Sequence, residues 1–210
     1  MAAEAPGQVS QGHGSGSLIA IVALMQRELS SLFYSPIAYV VGFIFLLLTG
    51  HFFTSETLVP GNEASMRFLF EKMAGVLVFA LPLLTMRSIA DEFASGTIET
   101  LMTAPVSDLS VVLGKFLGSL LFYFGLLAAT LPHVILLSRY APDLVGSTVV
   151  TGYLGMILLG AMFIAIGIFA SSLTEDGPLS AFLAFCLMIG LMMVEVIPFI
   201  RDSAPDWLRQ

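Results

Sequence analysis

Long runs without a charged side chain dominate the pattern of polar and apolar positions along the chain. Residues 116–138 and 144–174 contain no Asp, Glu, Lys or Arg. A helix needs roughly 20 apolar residues to cross the hydrocarbon core of a bilayer, which is about 30 Å thick. Both runs are long enough for this. We therefore predict an all-α membrane protein that crosses the bilayer several times.

Turn signals and charged residues divide the apolar sequence into five predicted spans. Proline restricts the residue before it and glycine permits turn geometry, so both mark breaks between helices. The breaks include Ser35-Pro36, Pro60-Gly61-Asn62 and Asp176-Gly177-Pro178. The predicted spans are residues 37–53, 68–86, 111–138, 148–170 and 179–198. The second span contains Pro82 in its interior, which predicts a kink.

The sequence before the first span is predicted to form a helix on the membrane surface. Apolar residues recur at three- and four-residue spacing over residues 18–33, whereas Arg27 and Glu28 interrupt the apolar pattern. Such a stretch is typical of an amphipathic interfacial helix. The alternative is that these residues form the first turns of one long span. Residues 1–17, which end in a Gly- and Ser-rich sequence, are predicted to be a disordered tail.

Composition supports a membrane protein and excludes several other classes. Apolar residues make up 57% of the chain and charged residues only 11%, whereas a soluble domain has roughly 25% charged residues. The net charge of −7 gives no attraction for nucleic acid. The single cysteine, Cys186, excludes an internal disulfide. No phosphate-binding glycine loop, Ser–His arrangement or metal-ligand set occurs, so we predict no catalytic or metal site and no ATP binding by this chain.

Residues 87–108 form a polar segment that is closely flanked by predicted spans on both sides. We expect the second span to continue as a helix beyond Met86 and to end at Gly96, since glycine commonly terminates helices. Thr97 would cap a short second helix, with Glu99 in its positive first turn, and Pro105 would stop that helix. Ser107 or Asp108 would cap the next span. The alternative is an ordinary solvated loop.

Several short motifs resemble those of one transporter family. They are an acidic residue followed by Gly96-Thr97-Ile98-Glu99, Pro105-Val106-Ser107, Gly114-Lys115-Phe116, Arg27-Glu28-Leu29, Ser35-Pro36-Ile37-Ala38-Tyr39, and the run from Gly167 to Thr174. Together they resemble the type-2 (ABC-2) ABC transporter permeases, most closely the gliding-motility branch. The resemblance covers about residues 24–198, and its most specific part is the 87–108 segment.

The resemblance implies a permease subunit, usually of an exporter, in the cytoplasmic (inner) membrane with its N-terminus in the cytoplasm. A homodimer, or a pair with a paralogous permease, would associate with separate ATPase subunits that hold ATP and Mg²⁺. The 87–108 segment would be the coupling helix that docks on the ATPase. The residues carried over for this role are Glu92, Gly96, Thr97, Glu99 and Pro105. A second cytoplasmic contact would be made by Ser172, Thr174 and Glu175.

The family has six spans, whereas this sequence predicts five, so we expect the chain to be truncated. With a cytoplasmic N-terminus, residues 199–210 would form an extracytoplasmic amphipathic segment, which contains the sole tryptophan, Trp207. The few Lys and Arg residues do not decide the orientation by themselves.

Two other features have simpler explanations. Gly114 and Gly118 have the spacing that lets two helices approach closely, and ordinary packing is favoured over a specific dimer face. The methionines are favoured as residues that pack against lipid or the core, and the isolated His51 and His133 as side chains that bond to the backbone rather than ligands. The alternative functions are a membrane anchor in a motility or secretion apparatus and, less favoured, an ion-coupled secondary transporter. The second usually needs charged residues in the middle of spans, where this sequence has none.

Overall fold

The computed structural model describes residues 13–57, 66–97, 107–140 and 146–203. Every regular element within these ranges is helical, so the predicted all-α fold is confirmed. The helices are α1 (His13–Tyr34), α2 (Pro36–Phe52), α3 (Met66–Thr85), α4 (Ala90–Ala94), α5 (Asp108–Ala128), α6 (Leu131–Tyr140), α7 (Ser147–Ser171) and α8 (Gly177–Ser203), and a π-helical segment, Phe53–Thr57, follows α2.

Four stretches of the described chain are long and apolar enough to cross a bilayer. They are Pro36–Ser55, Met66–Ala94, Asp108–Arg139 and Val149–Ser171, and a shorter apolar helix covers Gly177–Met193. These five helices lie at the positions of the five predicted spans, and they make the protein a multi-pass membrane protein. The 22-residue helix α1 is not among the stretches apolar enough to cross. Its composition favours the interfacial helix over the start of a long span.

The helices at both ends of the described chain are longer than the sequence indicated. α1 begins at His13, so residues 13–17, which were assigned to a disordered tail, are helical. α8 continues to Ser203, so residues 199–203 prolong the fifth apolar helix. Both extensions are physically reasonable, because adding residues to an existing helix is far easier than starting one. Residues 1–12 and 204–210 of the two predicted end segments lie outside the described chain.

α1 lies along α5, and this is the most extensive helix–helix contact among the described elements. The two backbones approach closely because Gly114 and Gly118 of α5 face α1. A Cβ atom on Gly114 would lie 2.5 Å from the Cβ of Leu24, and one on Gly118 would lie 2.7 Å from the Cβ of Glu28. Residues four apart share one face of a helix, so the two glycines form a continuous groove for α1.

α3 is the centre of the bundle and contacts α2, α7 and α8. Close packing of α7 depends on its glycines. A Cβ atom on Gly160 would overlap the ring of Tyr123 in α5, and one on Gly167 would overlap Thr85 at the end of α3. Tyr123 is fully buried and donates its hydroxyl to the carbonyl of Met156 at 2.7 Å. Small residues at such contacts are typical of helix pairs in membranes.

Apolar side chains cover the outside of the bundle as well as its interior. Phe45, Met73 and Phe163 are completely buried, whereas Phe43 of α2 and Val150 of α7 are 66% and 71% exposed. A soluble protein rarely exposes so much large apolar surface. A lipid environment accounts for it, since hydrocarbon solvates these side chains as well as the protein core does.

The glycine contact between α7 and α5 can be tested by adding one methyl group. Gly160→Ala should destabilise the protein by about 1–3 kcal/mol, because the ring of Tyr123 must move and lose its bond to Met156. Gly155→Ala in the same helix is the control, since a Cβ there meets no atom of the described chain within 4 Å. Thermal unfolding of the purified variants in detergent measures the difference. Equal stability of the two variants would contradict the described packing.

Candidate functional site

The predicted continuous helix from the second span to Gly96 is broken in the structure. α3 ends at Thr85, a turn covers residues 86–89, and α4 resumes at Ala90. The amide of Ser88 donates to the carbonyl of Thr85 at 3.0 Å, which closes a tighter turn than an α-helix. The expectation of an uninterrupted helix was therefore wrong. We call residues 86–89 the α3–α4 junction.

Gly96 ends α4 as expected. Its φ angle of +69° lies in the left-handed region that glycine adopts without strain. Its amide donates to the carbonyl of Phe93 at 3.1 Å. The hydroxyl of Thr97 lies 2.9 Å from that of Ser95 and 3.5 Å from the carbonyl of Glu92. Thr97 thus bonds back to the end of α4, a contact that its predicted capping role did not include.

Beyond Thr97, the structure describes only Ser107 and Asp108 of the 87–108 segment. Glu99, Pro105 and the predicted second short helix lie in residues 98–106, outside the described chain. Ser107 is the N-cap of α5 and accepts a hydrogen bond from the amide of Ser110 at 3.3 Å. This confirms Ser107, rather than Asp108, as the cap.

A buried ammonium group lies behind α4. The Nζ atom of Lys115 is 3.0 Å from Oε1 of Glu92 and 3.5 Å from Oε2 of Glu28, and it donates to the carbonyl of Ser88. The Lys115 side chain is only 6% exposed, and each glutamate is 13% exposed. The hydroxyl of Ser88 donates to Oε1 of Glu28 at 2.8 Å. We call Glu28, Ser88, Glu92 and Lys115 the ion cluster.

The ion cluster joins four parts of the chain. Glu28 belongs to α1, Ser88 to the α3–α4 junction, Glu92 to α4 and Lys115 to α5. Arg27 lies at the rim, where its exposed guanidinium is 3.8 Å from Glu92 and balances the second carboxylate. Charges removed from water are costly unless they pair well. The cluster therefore favours one relative placement of these four parts over others.

The carboxylate of Glu92 is directed into the protein, whereas the sequence suggested only that it belongs to a coupling surface. Its Oε2 atom is buried and has no hydrogen-bond partner among the described residues. The outward side of α4 instead consists of Asp91, Phe93 and Ala94, which are exposed. Glu92 thus holds α4 in place, whereas its neighbours lie at the surface.

Sequence patterns alone did not identify Glu28, Ser88 and Lys115 as members of a cluster. One signal was available. Lys115 stands within an otherwise apolar helical stretch, and Glu28 interrupts the apolar pattern of the interfacial helix. Isolated charges of opposite sign near a membrane boundary favour pairing.

The second predicted contact lies at the same end of the bundle as α4. Ser172 and Glu175 are exposed, and Thr174 is half-buried and accepts a hydrogen bond from the amide of Asp176 at 3.2 Å. α8, which follows directly, contacts α4. At its first residue, a Cβ atom on Gly177 would lie 3.6 Å from Cγ of Arg87. The structure thus brings the described part of the 87–108 segment and residues 172–176 together.

Ser171, one position before the predicted contact residue Ser172, is the residue that touches the α3–α4 junction. Its hydroxyl accepts hydrogen bonds from the amides of Ile89 and Ala90 and donates to the carbonyl of Met86. Ser172 instead bonds to Phe169 in its own helix. The paired serines in the sequence gave no sign of which one faces inward.

A cavity of about 500 Å³ opens between α1, the α3–α4 junction and α5. Arg27, Arg87, Asp91, Glu92 and Lys115 supply charged walls, and Leu83 and Leu84 supply apolar ones. Within the described ranges, no group of three or more His, Cys, Asp or Glu side chains could hold a metal ion.

Comparison with known families decides the identity. The family model described as "ABC-2 family transporter protein" matches residues 22–201. The chain belongs to the ABC-2 transporter family. This ABC-2 protein is therefore a membrane permease subunit of an ABC transporter, as the sequence motifs implied. A comparison with curated proteins finds no match. The placement in the gliding-motility branch stays a prediction.

The ion cluster of this ABC-2 permease can be tested by removing its cation. Lys115→Met should destabilise the protein by about 3–5 kcal/mol, because two largely buried carboxylates lose their counter-ion. Adding Glu92→Gln should restore part of the loss. Lys72→Met is the control, since no carboxylate of the described chain lies within ion-pair distance of Lys72. Thermal unfolding in detergent measures all three, and equal effects of the two lysine substitutions would contradict the role of the cluster.

Proposed function

We propose that a separate ATPase subunit docks on the α4 end of the bundle and moves this permease. The contact would comprise the 87–108 segment and residues 172–176. The observation that carries the proposal is the two-sided character of α4. One side is exposed, and the other is tied through Glu92 to the buried Lys115. A segment built in this way can receive a partner and pass its displacement to helices embedded in the membrane.

The ion cluster provides the contacts through which this displacement would reach α5 and α1. A push on α4 acts on Lys115 in α5 through an ion pair of 3.0 Å. Lys115 in turn contacts Glu28 in α1. α1 and α5 also pack closely along the groove at Gly114 and Gly118. We infer that α1, α4 and α5 move together, as expected of rigid-body switches in packed helices.

The exposed side chains near α4 suggest which properties the binding surface of the ATPase would have. Asp91 is acidic, Phe93 is apolar and 36% exposed, and Glu175 adds a carboxylate across the junction. A matching surface would combine basic side chains with an apolar pocket for Phe93. Gly96, Thr97, Glu99 and Pro105 would shape the part of the 87–108 segment that enters the ATPase.

The rest of the assembly follows from the resemblance to ABC-2 permeases. Two permease subunits, identical or paralogous, would join two ATPase subunits that hold ATP and Mg²⁺. The location would be the cytoplasmic (inner) membrane, with the N-terminus and the α4 end in the cytoplasm. The transporter would export its substrate, and this permease would belong to the gliding-motility branch of the family, whose motifs it resembles.

Charge reversal within the proposed contact tests the docking site. Asp91→Lys and Glu99→Lys should each weaken association with the ATPase subunit of the same transporter by about tenfold or more, because they oppose its basic surface. Glu71→Lys is the matched control, since Glu71 is exposed in α3 at the opposite end. Co-purification and permease-stimulated ATP hydrolysis report the effect. Unchanged association in both the Asp91 and the Glu99 variant would overturn the proposal.

The backbone at Gly96 provides an independent test. Gly96→Val should strain the left-handed turn by about 1–2 kcal/mol and weaken ATPase association by misdirecting the residues that follow. Gly96→Asn should retain association, because asparagine tolerates this conformation. Among the described residues, none has an atom within 4 Å of a Cβ built at this position. Similar co-purification of the ATPase with both variants would show that the turn does not matter.

A further inference from the structure

The start of α4 has no cap of its own. A helix leaves its first amides without partners inside the helix, and a side chain at the N-cap usually satisfies one of them. Ile89 is the N-cap residue of α4 and makes no side-chain capping bond. The amides of Ile89 and Ala90 donate instead to Oγ of Ser171, at 3.0 Å and 2.9 Å. The cap thus comes from the end of α7.

The Ser171 hydroxyl uses its full bonding capacity at this junction. A serine hydroxyl can accept two hydrogen bonds and donate one. Ser171 accepts from Ile89 and Ala90 and donates to the carbonyl of Met86 at 3.1 Å. Ser171 and Ala90 are completely buried, and Met86 and Ile89 are also buried. Water therefore cannot readily replace these bonds, and losing the hydroxyl would leave three buried backbone groups without a partner.

Gly167 brings Ser171 within reach of the junction. The two residues are four apart in α7 and share one face of the helix. A Cβ atom on Gly167 would overlap the side chain of Thr85, so α7 approaches the last turn of α3 as closely as a glycine allows. One turn later, Ser171 meets the residues where α3 has ended and α4 has not yet begun.

We propose that Ser171 is a positioning residue that makes α7 move with the α3–α4 junction when the partner acts. The proposal rests on the function proposed above. The junction interrupts the α-helix, so it is a natural pivot between α3 and α4. Residues 172–176, the second proposed contact, begin immediately after Ser171. The Ser171 hydroxyl therefore links α7 to the junction at the point between the two proposed contacts, in addition to the packing of α7 on α3.

The cap is tested first in the full-length permease without its partner. Backbone hydrogen exchange over residues 86–92 should become at least about tenfold faster in Ser171→Ala than in the wild type. Ser138→Ala is the control, because Ser138 lies outside both proposed contacts and its hydroxyl donates to the carbonyl of Ile135 in its own helix. The control should exchange like the wild type. Unchanged exchange in Ser171→Ala would overturn the proposal.

Ser171→Cys provides a second variant should the alanine variant not fold. Cysteine is close to serine in size, and its sulfur accepts hydrogen bonds more weakly. We expect exchange over residues 86–92 to lie between that of the wild type and that of Ser171→Ala. Wild-type exchange in Ser171→Cys, with no folded alanine variant, would contradict the proposed cap.

The transmission role is tested in the complex with the ATPase subunit of the same transporter. Adding ATP and Mg²⁺ should change hydrogen exchange in α7 of the wild type and of Ser138→Ala. In Ser171→Ala the ATPase should still co-purify, but the ATP-dependent change in α7 should fall by about tenfold. An equal change in Ser171→Ala would overturn the inference and leave the proposed function intact. Failure of the wild type to bind the ATPase would instead refute the proposed function.

Discussion

An ammonium group that leaves water at the end of a helix bundle needs negative partners on more than one side, and Lys115 finds them in α1, in the α3–α4 junction and in α4. This requirement constrains every neighbouring element. α1 must run where Glu28 can reach Lys115, and α4 must turn Glu92 inward. Because the carboxylates are themselves mostly buried, none of the three charges is well placed without the others.

The glycines of α5 make this arrangement sterically possible. Gly114 and Gly118 flank Lys115 in sequence and open a groove in which the backbone of α1 lies. The position of Glu28 against Gly118 brings its carboxylate to the ammonium. Van der Waals packing therefore sets the approach of α1, and the ion pair selects its register. In a lipid environment, where apolar contacts alone discriminate poorly between helix faces, such a combination specifies one arrangement.

The same end of the molecule contains two different kinds of connection. The ion cluster links α4 to α1 and α5 through side-chain charges, whereas Ser171 links the junction to α7 through backbone hydrogen bonds. Between them, the short helix α4 is held from two directions while Asp91 and Phe93 stay exposed. A surface helix that is anchored so firmly is suited to receive force. An ordinary solvated loop would need no such anchoring.

The sequence by itself determined the features that depend on residues close to one another along the chain. Apolar runs predicted the positions of the five helices, since crossing a bilayer is first a matter of length and composition. Gly96 and Ser107 were assigned their roles at helix ends because those roles depend on residues a few positions away. The motifs around the 87–108 segment also indicated the ABC-2 family.

Only the tertiary structure decided which side chains face each other. It showed that Glu92 points inward to Lys115, that Ser171 rather than Ser172 meets the junction, and that Gly114 and Gly118 face α1 of the same chain. It also showed that the helix ends at Thr85. Beyond that point, the buried hydroxyl of Ser171 makes hydrogen bonds to backbone groups that a continuous helix would pair internally. Most of these outcomes depend on partners far apart in the chain, such as Ile89 and Ser171, which are 82 positions apart. Helical periodicity is too short-ranged to identify such partners.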